Sequence, residues 1–191
     1  LYASASEEQA RGAVDAAQAA FPAWSRGGIQ ARHDSLQFIA RELMARREEI
    51  GDLLAREEGK TRPEGIGEAT RAAQIFDFFA GEVIRQRGEK LPSVRPGIGV
   101  EVTREPLGTV GIITPWNFPI AIPCWKMMPA LVTGNTVVFK PASDTPHCAT
   151  ILVELMAEAG FPPGVVNLVT GSGAEVGDAI VDSPDVAVIS F

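Results

Sequence analysis

The sequence has few cysteines and no long apolar run. Its two cysteines, Cys124 and Cys148, lack the spacing of a metal site. Two thiols without a secretory leader predict a reducing, cytoplasmic compartment, no disulfide and no metal site. Apolar stretches, such as the one around Ile112, are interrupted by Gly, Pro and Asn well short of the ~20 residues that a membrane span needs. We therefore expect a soluble protein without a membrane partner.

Basic residues are also scarce. The 191 residues include 17 Lys and Arg against 24 Asp and Glu, which gives a net charge of −7. This balance argues against general binding of nucleic acid or anionic lipid, since both require clustered cations. Because 46% of the residues are hydrophobic and 21% are charged, we expect a folded chain with a sizeable core. The expected partner is a small molecule.

The first half of the chain predicts helices followed by an extended arm. An alanine-rich helix begins after Ser6, its N-cap, and ends before Pro22. Apolar residues at helical spacing predict two further helices. From residue 88, frequent Pro and Gly residues predict a hairpin or extended arm. The predicted helices cover residues 6–21, 29–57 and 64–87, and the predicted parts are 1–87 (helical), 88–106 (arm) and 107–191 (sheet).

Beyond residue 106, short β-branched runs alternate with helical segments. This alternation predicts a parallel sheet, doubly wound because crossovers are right-handed. Ligands of such sheets bind beyond the carboxyl ends of the strands. The predicted strands are 109–114, 136–140, 165–170 and 186–191, and the predicted helices are 119–131, 145–159 and 174–181.

Two strand ends carry groups suited to a nucleotide. Gly171 and Gly173 follow a strand and precede a helix, but the distance to Gly177 is one residue longer than the dinucleotide fingerprint allows. A plain tight turn and a phosphate site both remain open. Lys140 ends another strand, where it is either a solvated cation or a ligand of a ribose or phosphate.

A third strand end carries Asn117. From its position alone, capping of the next helix is favoured over donation to a developing oxyanion. Both cysteines lie in apolar helical segments, which favours a structural role. His147 and Cys148 do not form a catalytic pair, because neighbouring helical residues point about 100° apart.

Residues 105–119, Glu-Pro-Leu-Gly-Thr-Val-Gly-Ile-Ile-Thr-Pro-Trp-Asn-Phe-Pro, strongly resemble the aldehyde dehydrogenase superfamily. The resemblance covers essentially the whole chain. It includes Ala20–Trp24, Glu58–Lys60, Trp125–Lys126, Pro129–Leu131, Gly134–Pro141, Gly160–Asn167 and Ile189–Phe191.

The resemblance implies an α/β, doubly wound parallel-sheet NAD(P)-binding domain with N-terminal helices and an extended β-hairpin arm. In this family, Lys140 would bind the adenosine ribose and Gly173 would lie near the adenosine and pyrophosphate. Ser143 stands where NAD-specific members have a Glu, and losing that charge would admit a 2′-phosphate, so NADP is expected beside NAD. The implied cofactor positions are Ile113, Thr114, Pro115, Trp116, Lys140, Ser143, Gly173 and Gly177.

The resemblance also implies that Asn117 is catalytic. Its amide would hold the aldehyde oxygen while a cysteine thiolate attacks, hydride passes to the nicotinamide, and water releases the acid. The family's nucleophilic Cys and general-base Glu would follow Phe191, so we expect an N-terminal fragment that binds nucleotide without oxidising aldehydes. The motifs are nearest to succinate- or 2-oxoglutarate-semialdehyde enzymes, and the arm implies a homodimer or homotetramer.

Two alternatives remain. A CoA-acylating aldehyde dehydrogenase or acyl-phosphate reductase shares the sheet and the cysteine chemistry, although Thr114–Asn117 together with Lys140 favours the hydrolytic branch. A non-catalytic nucleotide-binding module would share the fold alone. The end of the chain within a strand at Phe191 favours the enzyme.

Overall fold

The computed structural model describes residues 2–191, which begin with four helices. Ser6 caps the first helix as predicted: its hydroxyl accepts a hydrogen bond from the Gln9 N–H, and the Gln9 side chain returns one to the Ser6 N–H. This capping box satisfies two backbone donors at the helix start. The helices are α1 (Glu7–Ser25), α2 (Ile29–Ala45), α3 (Arg47–Glu58) and α4 (Arg62–Val83).

Helix α1 continues through Pro22, so the prediction that Pro22 ends it is wrong. Proline removes one backbone hydrogen bond inside a helix. Tertiary contacts hold the last turn nevertheless. The Trp24 ring packs 5.2 Å from the ring of Phe161, and the Arg32 guanidinium donates to the carbonyls of Trp24 and Ser25.

The single helix predicted across residues 29–57 is two helices, which divide at Arg46. Hydrophobic periodicity does not reveal the break, since both halves have a buried stripe facing α4. Gly65 of α4 meets Gly51 of α3 so closely that a Cβ on Gly65 would overlap the Gly51 carbonyl oxygen. The predicted third helix starts two residues earlier and ends at Val83 rather than at residue 87.

The predicted arm is a β-hairpin. Strand β1 (Glu89–Pro92) pairs antiparallel with β2 (Gly99–Val102), with Glu89 opposite Val102. Every residue of both strands is exposed.

The second half forms a four-stranded parallel sheet in the order β5-β4-β3-β6, which confirms the predicted doubly wound α/β fold. The chain moves outward from β3 to β5 and then crosses to the other side of β3, so a topological switch point lies between β3 and β6. The helix predicted at 174–181 begins as a π-helical turn. The elements are β3 (Thr109–Ile113), α5 (Ala121–Val132), β4 (Thr136–Lys140), α6 (Pro146–Glu158), β5 (Val166–Leu168), the π turn Gly173–Gly177, α7 (Asp178–Val181) and β6 (Val186–Ser190).

Separate hydrophobic cores cover the two faces of the sheet. Val137 and Phe139 of β4 join the larger core with α4, α5 and α6, whereas Val138 faces α1 and α7. This alternation follows from the two-residue period of a strand. Within residues 2–191, no helix combines the length and apolar character that crossing a membrane requires.

Candidate cofactor and substrate sites

The carboxyl ends of β3 and β4 meet at one edge of the sheet. Ile113 and Lys140 are partners in register, and the Thr114 N–H donates to the Lys140 carbonyl at 3.2 Å. Gly177 lies beside the same lysine, because a Cβ built on Gly177 would be 3.8 Å from Lys140 Cδ. The structure thus brings four of the predicted cofactor positions together.

Lys140 is a buried cation with no carboxylate partner among residues 2–191. The residue is 5% exposed, and its Nζ donates only to the Pro141 carbonyl at 3.1 Å. Burial lowers its pKa. A buried ammonium without a counter-charge is stabilised by any ligand that brings hydroxyl or phosphate oxygens to it.

The turn at Gly171–Gly177, here called the glycine turn, follows β5 at this edge. Gly173 has open space where a Cβ would be, so its backbone is accessible to a ligand. The Ser143 hydroxyl donates to the Gly171 carbonyl at 3.1 Å and must rotate away to donate to a phosphate. A cavity of about 280 Å³ adjoins these groups, lined by Tyr2, Ala3, Ser4, Ala142, Ser143, Pro146, Thr170, Gly171 and Ser172.

The loop that follows β3 carries the remaining predicted positions. Pro115, Trp116 and Asn117 are all exposed, with Trp116 retaining 54% of its surface. Thr114 is buried instead, and its Oγ1 has no hydrogen-bond partner within residues 2–191.

Asn117 lines a second cavity, of about 580 Å³, between α4 and α5. We call it the α4–α5 cavity. Its volume lies within the range typical of small-molecule sites. Its lining is Glu58, Lys60, Glu64, Gly67, Glu68, Arg71, Asn117, Phe118, Ala121, Ile122 and Trp125.

Lys60 holds the Asn117 segment from the helical side. Its Nζ donates to the Asn117 carbonyl at 3.1 Å and lies 4.6 Å from the centre of the Phe118 ring. It also forms ion pairs with Glu58, at 3.2 Å, and with Glu68. We call Glu58, Lys60 and Glu68 the Lys60 cluster. Burial lowers the pKa of Lys60, but hydrogen bonding and charge pairing with Glu68 and then Glu58 outweigh it, so the pKa is raised.

Glu68 connects α4 to the start of α5. It is 4% exposed, and its Oε1 accepts hydrogen bonds from the N–H groups of Ile120 at 2.9 Å and Ala121 at 3.1 Å. A carboxylate here satisfies otherwise unpaired donors and interacts favourably with the helix dipole. The cap of α5 is therefore Glu68, and capping by Asn117, which its position favoured, is wrong.

Sequence reasoning missed Glu68 as a site residue. A signal was present, because Glu68 shares the buried stripe of α4 with Gly65, Ala69 and Ala72. An acidic residue on such a stripe requires a buried partner. One partner is the nearby Lys60, but the other, the start of α5, lies more than 50 residues away along the chain and depends on the packing of α4 against α5.

Cys124 and Cys148 have the environment of structural cysteines. Both are buried and free. Burial, followed by the charge of Glu68, raises the pKa of Cys124. Burial, followed by Glu57, raises that of Cys148. A raised pKa disfavours the nucleophilic thiolate. The part of the chain that the structure describes contains no group of three or more His, Cys, Asp or Glu side chains placed to hold a metal.

Comparison with known proteins identifies relatives of the whole segment. The model of the aldehyde dehydrogenase family matches residues 2–191. An alpha-ketoglutaric semialdehyde dehydrogenase of Bacillus subtilis is 44% identical over 184 residues, which are 96% of this chain and 38% of that protein. The chain therefore spans less than half the length of this curated relative.

Solved structures have the same fold. One is a glyceraldehyde-3-phosphate dehydrogenase from Methanocaldococcus jannaschii, complexed with NADP, which superposes with a TM-score of 0.95 at 34% sequence identity. The match covers 100% of this chain and 42% of the dehydrogenase chain. Betaine aldehyde dehydrogenase from Staphylococcus aureus, in complex with NAD+, superposes with a TM-score of 0.96 at 36% sequence identity. The match covers 99% of this chain and 38% of the betaine aldehyde dehydrogenase chain.

Proposed function

Since the chain belongs to the aldehyde dehydrogenase family, we propose that the complete protein oxidises an aldehyde to the carboxylic acid, with NAD or NADP as the hydride acceptor. The observation that carries this proposal is the position of Asn117. It lies on a cavity of small-molecule size, and the Lys60 cluster holds its backbone.

The sheet edge has the chemistry of an NAD(P) site. Lys140, buried without a counter-charge, would bind ribose hydroxyls, and the exposed backbone of Gly173 would approach the pyrophosphate. The Ile113 carbonyl and Thr114 would border the cleft together with Pro115, Trp116 and Gly177. When bound, the cofactor supplies the hydride acceptor. Because Ser143 introduces no negative charge beside the ribose, we propose that NADP is accepted as well as NAD.

Asn117 would act on the substrate side. Its amide N–H would donate to the aldehyde oxygen and stabilise the negative charge that develops there when a thiolate attacks the carbonyl carbon. We propose that the attacking cysteine and the general base lie outside these 191 residues, since Cys124 and Cys148 are both buried with raised pKa values.

We further propose a small semialdehyde, such as succinate or 2-oxoglutarate semialdehyde, as the substrate. The support is the similarity to the Bacillus subtilis semialdehyde dehydrogenase and the modest volume of the α4–α5 cavity.

The division into a helical part (1–87), an arm (88–106) and a sheet (107–191) is also proposed for the complete protein. The hairpin would pair subunits in a homodimer or homotetramer, because it exposes Leu91, Val100 and Val102. The free thiols support a cytoplasmic location.

The test is oxidation of succinic semialdehyde and a short aldehyde panel by the complete protein with NAD and with NADP. Asn117→Ala should lower kcat by roughly 10²–10³-fold, the effect of losing one oxyanion donor. Gln30→Ala, at an exposed amide bonded to Asp34, is the control and should retain wild-type kcat. A folded complete protein that oxidises no aldehyde with either cofactor would refute the proposal.

A further inference from the structure

The α4–α5 cavity has an apolar wall and a charged wall. Phe118, Ile122 and Trp125 supply the apolar wall, from the loop after β3 and from α5. The charged wall consists of side chains from α4 and the segment before it: Glu58, Lys60, Glu64, Glu68 and Arg71.

The three carboxylates of this wall already have partners within the chain. Glu58 and Glu68 pair with Lys60. Glu64 accepts hydrogen bonds from the Thr61 N–H at 2.9 Å and from the Thr61 hydroxyl at 2.7 Å, which close the capping box of α4. The charge of Lys60 is more than offset by two of these carboxylates. Arg71 is therefore the cation of this wall whose donors are not taken by a carboxylate.

Arg71 has no carboxylate within ion-pair distance among residues 2–191. Its Nη1 donates to the Gln74 side chain at 3.3 Å, and its Cζ lies 5.6 Å from the centre of the Trp125 ring. Stacking on the ring face leaves guanidinium N–H groups available at the exposed rim of the cavity.

The position of Arg71 relative to Asn117 is fixed through the Lys60 cluster. Arg71 lies three residues after Glu68, on the next turn of α4 and near the same face. Glu68 binds the start of α5, which carries Trp125, and Lys60 binds the Asn117 carbonyl. Asn117 and Arg71 thus line one cavity whose two walls are joined by hydrogen bonds, of which those to Glu68 are buried.

We propose that Arg71 determines substrate specificity by binding the carboxylate of an aldehyde acid whose carbonyl oxygen lies at Asn117. This assignment rests on the proposed aldehyde oxidation. A guanidinium matches the two oxygens of a carboxylate, which an uncharged aldehyde of equal length lacks. A cationic aldehyde is disfavoured, since the Trp125 face that would attract it already carries a cation.

The test compares substrates of the complete protein. Succinic semialdehyde, butanal and betaine aldehyde would be assayed with wild type, Arg71→Met and Arg71→Lys. Arg71→Met should lower the ratio of kcat/KM for succinic semialdehyde to that for butanal by roughly 10–100-fold, the range for losing a charge-assisted contact, chiefly through a higher KM. Arg71→Lys keeps the charge and should lose less. Arg62→Met, on the same helix at an exposed pair with Glu48, is the control with an unchanged ratio.

Binding separates this inference from the proposed function. 4-Hydroxybutyrate has the carboxylate but no aldehyde, so its Kd can be measured by calorimetry without turnover. Roughly tenfold weaker binding to Arg71→Met than to wild type would support the role of Arg71 even in an inactive protein. Equal Kd values, or equal losses of kcat/KM with succinic semialdehyde and butanal, would overturn it.

Discussion

Two lysines in different regions of the molecule both have little exposed side chain and yet differ in surroundings. The side chain of Lys60 is 9% exposed and lies between two carboxylates. Lys140 is 5% exposed and contacts no carboxylate of residues 2–191. Their pKa values consequently shift in opposite directions, upward for Lys60 and downward for Lys140.

The difference separates a residue that builds a site from one that remains available to a ligand. Lys60 uses its donors within the protein, on Glu58, Glu68 and the Asn117 carbonyl, and so locates the loop that carries Asn117. The Nζ of Lys140 is desolvated, lies at the end of a strand and donates only to the Pro141 carbonyl, so it could also donate to a ribose or a phosphate. A buried cation is therefore a candidate ligand-binding residue only when no carboxylate of the protein pairs with it.

The largest effect should come from Glu68→Ala. This change leaves Lys60 with one carboxylate and removes the acceptor of two N–H groups at the start of α5. Breaking a buried pair should lower the free energy of unfolding of the complete protein by about 3–5 kcal/mol, measured by denaturant titration. Glu48→Ala, at an exposed pair with Arg62, should cost at most about 1 kcal/mol. Equal losses in the two variants would show that the buried pair contributes no more to stability than the exposed pair.

A smaller effect should distinguish a glycine of the helical part from one of the glycine turn. Gly65→Ala brings a Cβ against the Gly51 carbonyl, so overpacking should destabilise the complete protein by about 1–3 kcal/mol. Gly173→Ala meets open space and should change stability by at most about 0.5 kcal/mol. If a cofactor approaches the Gly173 backbone, its Kd should rise roughly tenfold in that variant alone. Thermal unfolding and cofactor titration check both outcomes, and a stability loss at Gly173 would contradict the assignment.

The smallest effect is the pH dependence of the two lysines. The raised pKa of Lys60 means that its stabilisation is present below the unfolded value, about 10.4, and is lost as pH rises through the folded value. The lowered pKa of Lys140 has the opposite sign, so stability rises between its folded value and about 10.4.

The measurement is Tm from pH 8 to 11, an interval of three units around the unperturbed lysine pKa. The excess Tm of wild type over Lys60→Met should shrink with rising pH. The Tm of wild type relative to Lys140→Met should instead increase. Parallel curves would show that the two lysines share one kind of environment.

Much of the sheet could be predicted because its signals are local. Strand β4 has the predicted limits, Thr136 and Lys140, since a β-branched run between turn residues has few alternatives. The predictions at Pro22 and Arg46 were wrong because the structure there involves contacts with residues distant in the sequence. The helix through Pro22 is held by contacts with Arg32 and Phe161, and the helices on either side of Arg46 both pack against α4. Neither set of contacts is visible in the local pattern.

The candidate site shows the same division. Lys140, Gly173 and Asn117 could be selected because each lies at or soon after the end of a strand, and parallel strands end at one edge. Glu68 and Arg71 could not, because their roles depend on what α5 presents to α4.

The alternation of strands and helices, the parallel sheet and the family could be predicted from residues close together in the chain, since periodicity and motifs are properties of short segments. The pairing of buried charges could not, because it depends on tertiary packing. A charge is stabilised by whatever lies within a few ångströms of it, and for Lys60 and Lys140 those neighbours are set by how helices and strands distant in sequence pack together.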